Sequence, residues 1–515
     1  MTTILDTFRS WLVENNSTID KLTIDSVPNA GYGLFTSTEP ILLEGPSAPL
    51  ALIPPTLLIS APRILQYAQD HEPQLLRCLE LLRREGVDTT TKLTERMTIL
   101  IFLVYERHHR ATTDPPSFWK PYIDILPGPT SLSTVPILYP PKLFNLISDT
   151  RIHDSVLAKR AKLKRELDWI TPHAIAAGWE QEIDIDAWTW ADTVFWSRVV
   201  GVGSQFVQEE EQRQKAEQPD YYLVPFVDFA NHSPDPTIRW HLREDGSGVE
   251  LLPVISLTSS SPALPANTEL RISYGVKPNQ ELLFLHGFCV PNNPILPTLV
   301  IPAVPFFDAA EAFDRRKIAW LRRRGSSMIL TLNPPVRDQD VDWSAGFTPE
   351  SILIMLLVVL SQDPKGHMVL IKDDDDEPQL LLAGTTIDID TPLPAIMDAV
   401  CGLPNYDVVR LHVVTLLLDA LQWFWMRLTG TGEEGEENVS FEARVAGLLG
   451  DAEEEELVRR VVDDLRIYRQ EEEEMIGEAI RRLEKTSEEL MKSEVVKAYL
   501  EAAQQECEQS GLALN

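Results

Sequence analysis

The order of hydrophobic periodicities constrains this chain most. Residues 20–60 read as short strands and turns, 62–195 as helices, 201–275 again as strands, and everything after about 296 as helices. A β unit interrupted in this way must bring its two halves together in space, and chemistry is expected where they meet. In the first half, Asn29-Ala30-Gly31-Tyr32-Gly33-Leu34-Phe35 sets two glycines beside an apolar pair, a turn leading into a strand. In the insertion, Leu93, Met97, Leu100 and Val104 recur at helical spacing. Residues 153–170 read as a basic amphipathic helix, and 185–200 as a helix rich in aromatics, with Trp188, Trp190, Phe195 and Trp196. In the second half, Tyr221 to Val227 is an apolar run of strand length, and Gln208 to Asp220 reads as a charged loop. Glu244 to Gly248 looks like a hairpin loop, and Leu270, Ile272 and Tyr274 alternate on one face of a strand. Far downstream, Leu457, Val461, Leu465 and Tyr468 share a helix face that Ile476, Ile480 and Leu483 extend.

At 515 residues the chain is too long for one ordinary domain. Its formal charge is −32, of which −21 falls in residues 301–515. That argues against nucleic acid as the main ligand, because phosphate binding needs a basic face. It suits a basic protein partner, or simply solubility. Acidic runs at 373–377 and 433–437 read as solvated loops, and those at 453–456 and 471–474 as polar helix faces. Four scattered cysteines, Cys78, Cys289, Cys401 and Cys507, form no CxxC. This argues against a structural zinc site or a disulfide framework and fits a reducing compartment. The sequence opens without a basic-then-apolar leader. Its longest clean apolar run, Ile352 to Leu360, is nine residues, against the roughly 20 that a membrane span needs. The expectation is a cytosolic or nuclear monomer that does not enter membranes.

Three segments carry candidate chemistry, and each has a plainer reading. Asp228-Phe229-Ala230-Asn231-His232-Ser233 follows an apolar run and could be a polar turn at a strand end. Ile272-Ser273-Tyr274-Gly275 leads into Asn279 to Phe288, a strand, a turn and a short helix ended by glycine, so Tyr274 could be a core residue. Gly31-Tyr32-Gly33 would let backbone approach a ligand closely, but it lacks the third glycine and the helix of a dinucleotide fingerprint. Neither GxxxxGK[ST] nor GxSxG occurs. His108-His109 reads as a surface helix pair, and no metal is expected.

Taken in order, the GxG turn, the insertion, the Asn-His after an apolar strand, and the Tyr-Gly before an (N)xELL…GF helix resemble SET-domain methyltransferases. More narrowly, they resemble the class typified by the Rubisco large-subunit lysine methyltransferase. Phe8-Arg9-Ser10-Trp11-Leu12 resembles that class's opening helix, and Ser117-Phe118-Trp119-Lys120-Pro121-Tyr122-Ile123-Asp124-Ile125-Leu126-Pro127 its insertion signature. Trp190-Ala191 leading to Ser197-Arg198 resembles its tract before the second β half. The resemblance is specific over about 1–295 and weaker beyond. It implies an α+β protein, a SET β-fold interrupted by a helical insertion and followed by an all-α C-terminal domain. The implied boundaries are 1–66 for the N-terminal helix and first SET half, 67–195 for the insertion, 196–295 for the second SET half, and 296–515 for a helical substrate-binding domain.

The same resemblance implies S-adenosylmethionine as cofactor, cradled by backbone at Ala30, Gly31 and Tyr32. Arg198 would meet its carboxylate and Asp228 would lie beside it. Asn231 and His232 would hold its adenine and ammonium ends, and Tyr274 would be the catalytic residue at the sulfonium. His286 joins the cofactor-binding set and is a departure, since many members have Tyr-Gly-Phe where this chain has His286-Gly287-Phe288. The usual acidic-Gly-Glu tract is also blurred, into Thr38-Glu39-Pro40-Ile41. The implied activity is protein-lysine N-methylation of a basic protein, whether ribosomal, translational or histone. Two alternatives stand beside it, a histidine acceptor in the same fold and a binding module that has lost catalysis. Val200, two residues after Arg198, is apolar; facing the acceptor channel it would give an imidazole nothing to bond, which leans toward lysine.

Overall fold

The two strand-patterned halves pair in one four-stranded sheet of order Leu22–Val27, Gly31–Thr36, Glu269–Ile272, Asn231–His232. The first two strands form an antiparallel hairpin running from Leu22 opposite Thr36 to Val27 opposite Gly31. Glu269–Ile272 then joins from the far side of the insertion, with Leu270 opposite Leu34. Its other edge takes Asn231–His232 in parallel, Arg271 facing Asn231 and Ile272 facing His232. A three-stranded sheet of Ala51–Ile53, Val249–Pro253 and Ile238–Leu242 also joins the halves. The expected hairpin loop lies between its last two strands, closed by Arg243 N–H donating to the Gly248 carbonyl. Leu22, Leu34, Ile53, Leu251 and Leu270 are buried; burial alternates along Ala51–Ile53 and Glu269–Ile272, whereas Val249–Pro253 is buried throughout.

This computed structural model describes residues 3–43, 48–85, 92–110, 115–201, 221–254, 263–334, 343–360, 368–372, 378–382, 385–430, 440–448 and 455–510. The Gln208–Asp220 loop and the acidic runs at 373–377 and 433–437 lie outside the described residues. The chain divides into two compact units, Met1–Ile295 with Leu448–Asp464, and Leu296–Gly447 with Leu465–Asn515.

One strand expectation needs correction. Strand geometry in Tyr221 to Val227 stops at Tyr222, and a 3-10 turn occupies Val227–Phe229. Pro225 offers no N–H to a ladder. Leu223, Val224, Phe226 and Val227 are all buried rather than alternating. Between them Phe226 adopts φ +77° and ψ −48°, the rare γ-turn conformation, whose strain is about 1–3 kcal/mol. The core that holds the Phe226 ring imposes it, and the next residues are Asp228 and the Asn231-His232 strand.

The insertion is helical as expected, with helices at Glu95–Val104, Arg151–Ala176 and Ile185–Arg198 among others. Thr94 and Asp184 cap two of them by accepting from the amides of Met97 and Ala187. The helix Glu95–Val104 is buried from Arg96 to Val104, so Arg96 must be satisfied inside the protein. It bonds Asp192 at 3.0 Å and Glu166 at 2.9 and 3.2 Å, and Lys159 reaches Asp192 at 2.8 Å. These four charges tie three helices together, including the helix that ends at Arg198.

A second buried polar cluster has a measurable consequence. Glu72 accepts from Tyr105 Oη at 2.8 Å and pairs with Arg110 at 3.0 Å. Glu106, beside it on the π-helical turn Tyr105–His109, is 3% exposed and neither of its carboxylate oxygens has a partner. Tyr67 and Ser117 lie close but bond each other at 3.1 Å. Burial pushes the Glu106 carboxyl up to about 7, with the charge of Glu72 adding to it and the nearby Ser117 and Tyr67 hydroxyls and Arg110 only partly opposing it. The folded state therefore keeps a proton between about pH 4.5 and 7 that the unfolded chain has released, so stability falls as pH rises through that window and stays low above it. Glu106→Gln is expected to match wild type near pH 4.5 and to exceed it above pH 7 by up to about 3 kcal/mol. Denaturant unfolding across pH 4.5–8 checks this; equal curves for both proteins at pH 8 would refute it.

The second unit is mainly helical, but the expectation of an all-α domain needs correction, since its described residues include five short strands. Leu299–Pro302 pairs antiparallel with Ile329–Leu332, and Met368–Lys372, Pro378–Leu382 and Thr385–Ile387 form a meander. The first pair alternates in burial, but each strand is only three to five residues long and lies between helices, where so short a pattern does not stand apart from a helical one. The core gathers around helix Pro349–Val359, whose residues Ser351 to Leu357 are all buried. Helix Tyr406–Thr429 is long and apolar enough to cross a membrane by composition, a property hidden from a search for unbroken runs. Here its Val408, Val409, Val413, Val414, Leu417 and Leu421 belong to the core of this unit.

Candidate active site

Sheet register brings the three candidate segments side by side. Asn231 sits at a sheet edge and donates its amide to the Tyr32 carbonyl at 3.3 Å and to Glu269 Oε1 at 2.8 Å. The residue that composition alone reads as a turn former thus clips the GxG strand to the Glu269–Ile272 strand. Glycine at 33 makes this possible, because a Cβ there would stand 2.6 Å from Val27 Cγ2 and 3.1 Å from Asn231 Nδ2. Gly31 has φ +77° and open space where a Cβ would be, and is exposed. A backbone so bare lets a ligand lie close. Ala30 spends its N–H on the Val27 carbonyl, closing the hairpin, and Tyr32 sets its ring against Phe229 at 6.2 Å.

Beyond the parallel pair, the chain leads Tyr274 over His232. The Tyr274 amide donates to His232 Nδ1 at 3.1 Å, and the rings lie 5.1 Å apart. Tyr274 Oη donates to the Ala230 carbonyl at 3.2 Å, which fixes the hydroxyl proton inward and leaves its lone pairs for another neighbour. Burial raises the phenol to about 12, so Tyr274 is neutral across the physiological range and cannot serve as a base. His232 is lowered by burial and then by Lys277, in keeping with a neutral ring that accepts the Tyr274 amide.

His286 lies near the end of helix Asn279–His286 and stacks on Tyr274 with centroids 4.8 Å apart. Phe288 lies 6.1 Å from both His286 and His232. Burial, then Lys277 and His232, lowers the His286 imidazole to about 3, so it is neutral. The helix stops because Gly287 takes φ +77°; a Cβ there would meet the Thr134 carbonyl carbon at 2.7 Å and the Val135 amide nitrogen at 2.8 Å. The site wall is thus four rings, His232, Tyr274, His286 and Phe288, held by a helix cap.

Arg198 closes the helix Ile185–Arg198. Its guanidinium donates to the Asp228 carbonyl at 2.9 Å and to Asp228 Oδ2 at 3.1 Å, and lies 5.1 Å over the Phe229 ring. The Asp228 carboxylate is fully buried. Burial pushes its pKa up, opposed by Arg198 and by Tyr122, which donates to Oδ2 at 2.8 Å. Asp228 Oδ1 and His286 Nε2 are buried without a hydrogen-bond partner. Orphaned acceptors of this kind ask for donors from water or from a ligand. The set fits a small molecule with an anionic end for Arg198, a cationic end for the orphaned acceptors, and a body against bare backbone and rings. Among the described residues no three His, Cys, Asp or Glu side chains converge to hold a metal ion.

Sequence reasoning therefore named residues that the fold gathers: Gly31, Tyr32, Arg198, Asp228, Asn231, His232, Tyr274 and His286 lie on the connected elements just described. Val200, weighed as an acceptor-channel residue, pairs with Tyr222 in a two-residue ladder. Three contributors were missed. Tyr122 was quoted only as part of a motif, and Glu269 and Phe226 gave no signal, since an acid and a phenylalanine are unremarkable until their partners are known.

No family model matches the chain. It is 24% identical to SET domain-containing protein 4 of Mus musculus over 341 residues, 63% of this chain and 67% of that protein. It is 28% identical to ribosomal lysine N-methyltransferase set10 of Schizosaccharomyces pombe over 137 residues, 26% of this chain and only 22% of that enzyme. In structure it overlays the SET domain of LSMT bound to lysine and AdoHcy with a TM-score of 0.63 at 15% identity, over 95% of this chain and 92% of that one. The chain has the SET fold. Rubisco LSMT bound to AdoMet aligns over the same 95% of this chain and 93% of its own, with a TM-score of 0.60 at 15% identity. The likeness in fold thus spans nearly the whole sequence, the helical C-terminal region included.

Proposed function

We propose that this SET-fold chain is an S-adenosylmethionine-dependent protein-lysine N-methyltransferase acting on a basic protein. The observation that carries the reading is the register that sets the bare Gly31 strand and the Asn231-His232 strand on either side of Glu269–Ile272, with Tyr274 two residues past the end of that strand. The neighbours in structure hold AdoMet or AdoHcy, one of them with lysine, and a relative is named as a ribosomal lysine methyltransferase, which supports both cofactor and acceptor.

S-adenosylmethionine supplies, when bound, an electrophilic methyl group on a sulfonium. Arg198 binds and orients a carboxylate, with Asp228, itself held by the Tyr122 hydroxyl, keeping the guanidinium in place. Gly31 and Tyr32 offer backbone for close approach. Tyr274 presents oxygen lone pairs, since its proton is given to Ala230, and a neutral oxygen dipole of this kind stabilises nearby positive charge. The ring wall of His232, Tyr274, His286 and Phe288 excludes water and aligns an acceptor amine, which is the main requirement of an in-line displacement. Desolvation there favours the neutral form of a lysine, and no side chain at the wall has the basicity to act as a strong base. The acidic chain favours a basic substrate.

The test is mass spectrometry of basic protein mixtures, ribosomal proteins and histones among them, incubated with purified chain and isotopically labelled S-adenosylmethionine. Labelled methyl-lysine is the expected product. Methyl-histidine alone would move the acceptor assignment, and no label together with no calorimetric binding of the cofactor would overturn the proposal.

A further inference from the structure

Helix Glu455–Leu490 begins about 180 residues after Tyr274 in sequence, yet its first stretch, as far as Asp464, belongs to the same compact unit as the candidate site. Val458, Val461 and Val462 are buried, an apolar stripe at spacings of three and four that seats this stretch. Two of its polar side chains reach backbone groups at opposite borders of the site. Arg460 donates to the Asn29 carbonyl at 2.5 Å, and Asp464 accepts from the Cys289 amide at 2.7 Å.

Each target matters for a different reason. Asn29 lies at the tip of the hairpin between Leu22–Val27 and Gly31–Thr36, at φ +65°. That left-handed conformation is tolerated by asparagine but not favoured, so the turn that precedes Gly31 gains from an outside anchor. Cys289 is three residues past His286, just beyond the left-handed Gly287 that ends its helix. The Asp464 bond therefore fixes the exit of the segment bearing His286 and Phe288. Arg460 and Asp464 are four residues apart, one turn along a single helix face and about 6 Å in rise. A rigid helical turn thus spaces the Asn29 turn from the Cys289 segment.

We propose that Arg460 and Asp464 are positioning residues, a clamp that holds the Asn29–Gly31 turn and the His286–Cys289 segment at the separation in which the cofactor binds. The proposal rests on the methyltransferase reading above. A partly exposed hydrogen bond adds little to global stability, about 1 kcal/mol or less. Here its effect is expected in ligand affinity, because two loops that are free to drift must be ordered before binding.

The test uses the full chain, with S-adenosylhomocysteine as the calorimetric probe. Arg460→Ala and Asp464→Ala are each expected to weaken binding about tenfold and to raise KM for the cofactor by a similar factor. They should leave kcat and the unfolding midpoint of the ligand-free protein nearly unchanged. Asp464→Asn keeps an acceptor oxygen and should bind as wild type does; Arg460→Lys, with a single shorter-reaching ammonium, should recover part of the loss. Amide exchange at residues 29–32 in the ligand-free protein should quicken in Arg460→Ala, a readout independent of turnover. Wild-type affinity in both alanine variants would overturn the clamp. A weakening matched by an equal loss of stability, which Asp464→Asn fails to rescue, would also overturn it. Failure of the wild-type chain to bind the probe would instead sink the methyltransferase reading, and the exchange rates would then decide the clamp alone.

Discussion

Tyr274→Phe is expected to lower kcat by about two to three orders of magnitude, the usual loss when one preorganised polar group beside a developing or reacting charge is removed. The cofactor should still bind within a fewfold of wild type. The structural warrant is the hydrogen-bond geometry. Tyr274 Oη gives its proton to the Ala230 carbonyl, so its oxygen acts through lone pairs that phenylalanine lacks. The ring contacts with His232 and His286 survive in the variant, so the fold should lose only about 1 kcal/mol, the net worth of one neutral hydrogen bond. Because burial raises the phenol to about 12, the wild-type rate should show no inflection from Tyr274 between pH 7 and 10. The decisive measurement is single-turnover methyl transfer with saturating cofactor. A variant that turns over normally would remove Tyr274 from the chemistry, and a rate that climbs with deprotonation near pH 8 would mean a base role that its surroundings do not support.

How much of this was legible in the sequence follows from the range of the forces involved. The interrupted β unit was, because alternation at Leu270 and Ile272 and the helical spacing of Leu93, Met97, Leu100 and Val104 are local signals that tertiary packing reinforces. The termination of the Asn279–His286 helix at Gly287 was legible for the same reason. Tyr221–Val227 was not, since burial on all sides looks like a strand until Phe226 is seen with φ +77°. The short strands after Leu299 were not, because a few alternating residues set among long helices do not stand apart from a helical pattern. At the site, the residue types carried by motif resemblance, Asn231, His232, Tyr274 and Arg198, were all found on joined elements. Their helpers were not, because Glu269, Tyr122 and Arg460 act only through contacts between segments distant in sequence: Glu269 is 38 residues from Asn231, Tyr122 is 106 from Asp228, and Arg460 is 431 from Asn29. No periodicity encodes such contacts.

Arg198→Ala should be the most damaging single change to both binding and folding. The Asp228 carboxylate has no solvent exposure; without the guanidinium it keeps only Tyr122 as a donor. Removing one partner of a buried pair costs about 3–5 kcal/mol, because the other charge is stranded. Protonating Asp228 offers an escape whose cost is about 1.4 kcal/mol for each pH unit above the ordinary aspartate value near 3.9, hence about 4 kcal/mol at pH 7 and about 1.5 at pH 5. The sign follows: the folded variant holds a proton that its unfolded chain releases, so its stability deficit grows as pH rises from about 4 to 7. Denaturant unfolding at pH 5 and pH 7 should show the deficit more than doubling. Adding Asp228→Asn removes the stranded charge and should restore most of the lost stability, since an amide needs no counter-ion. Cofactor affinity should stay at least tenfold weaker in the double variant, because the group that meets a ligand carboxylate is still missing. Recovery of binding together with stability would mean that Arg198 serves the fold and not the ligand. A deficit independent of pH would mean that Asp228 is not charged in the wild-type core.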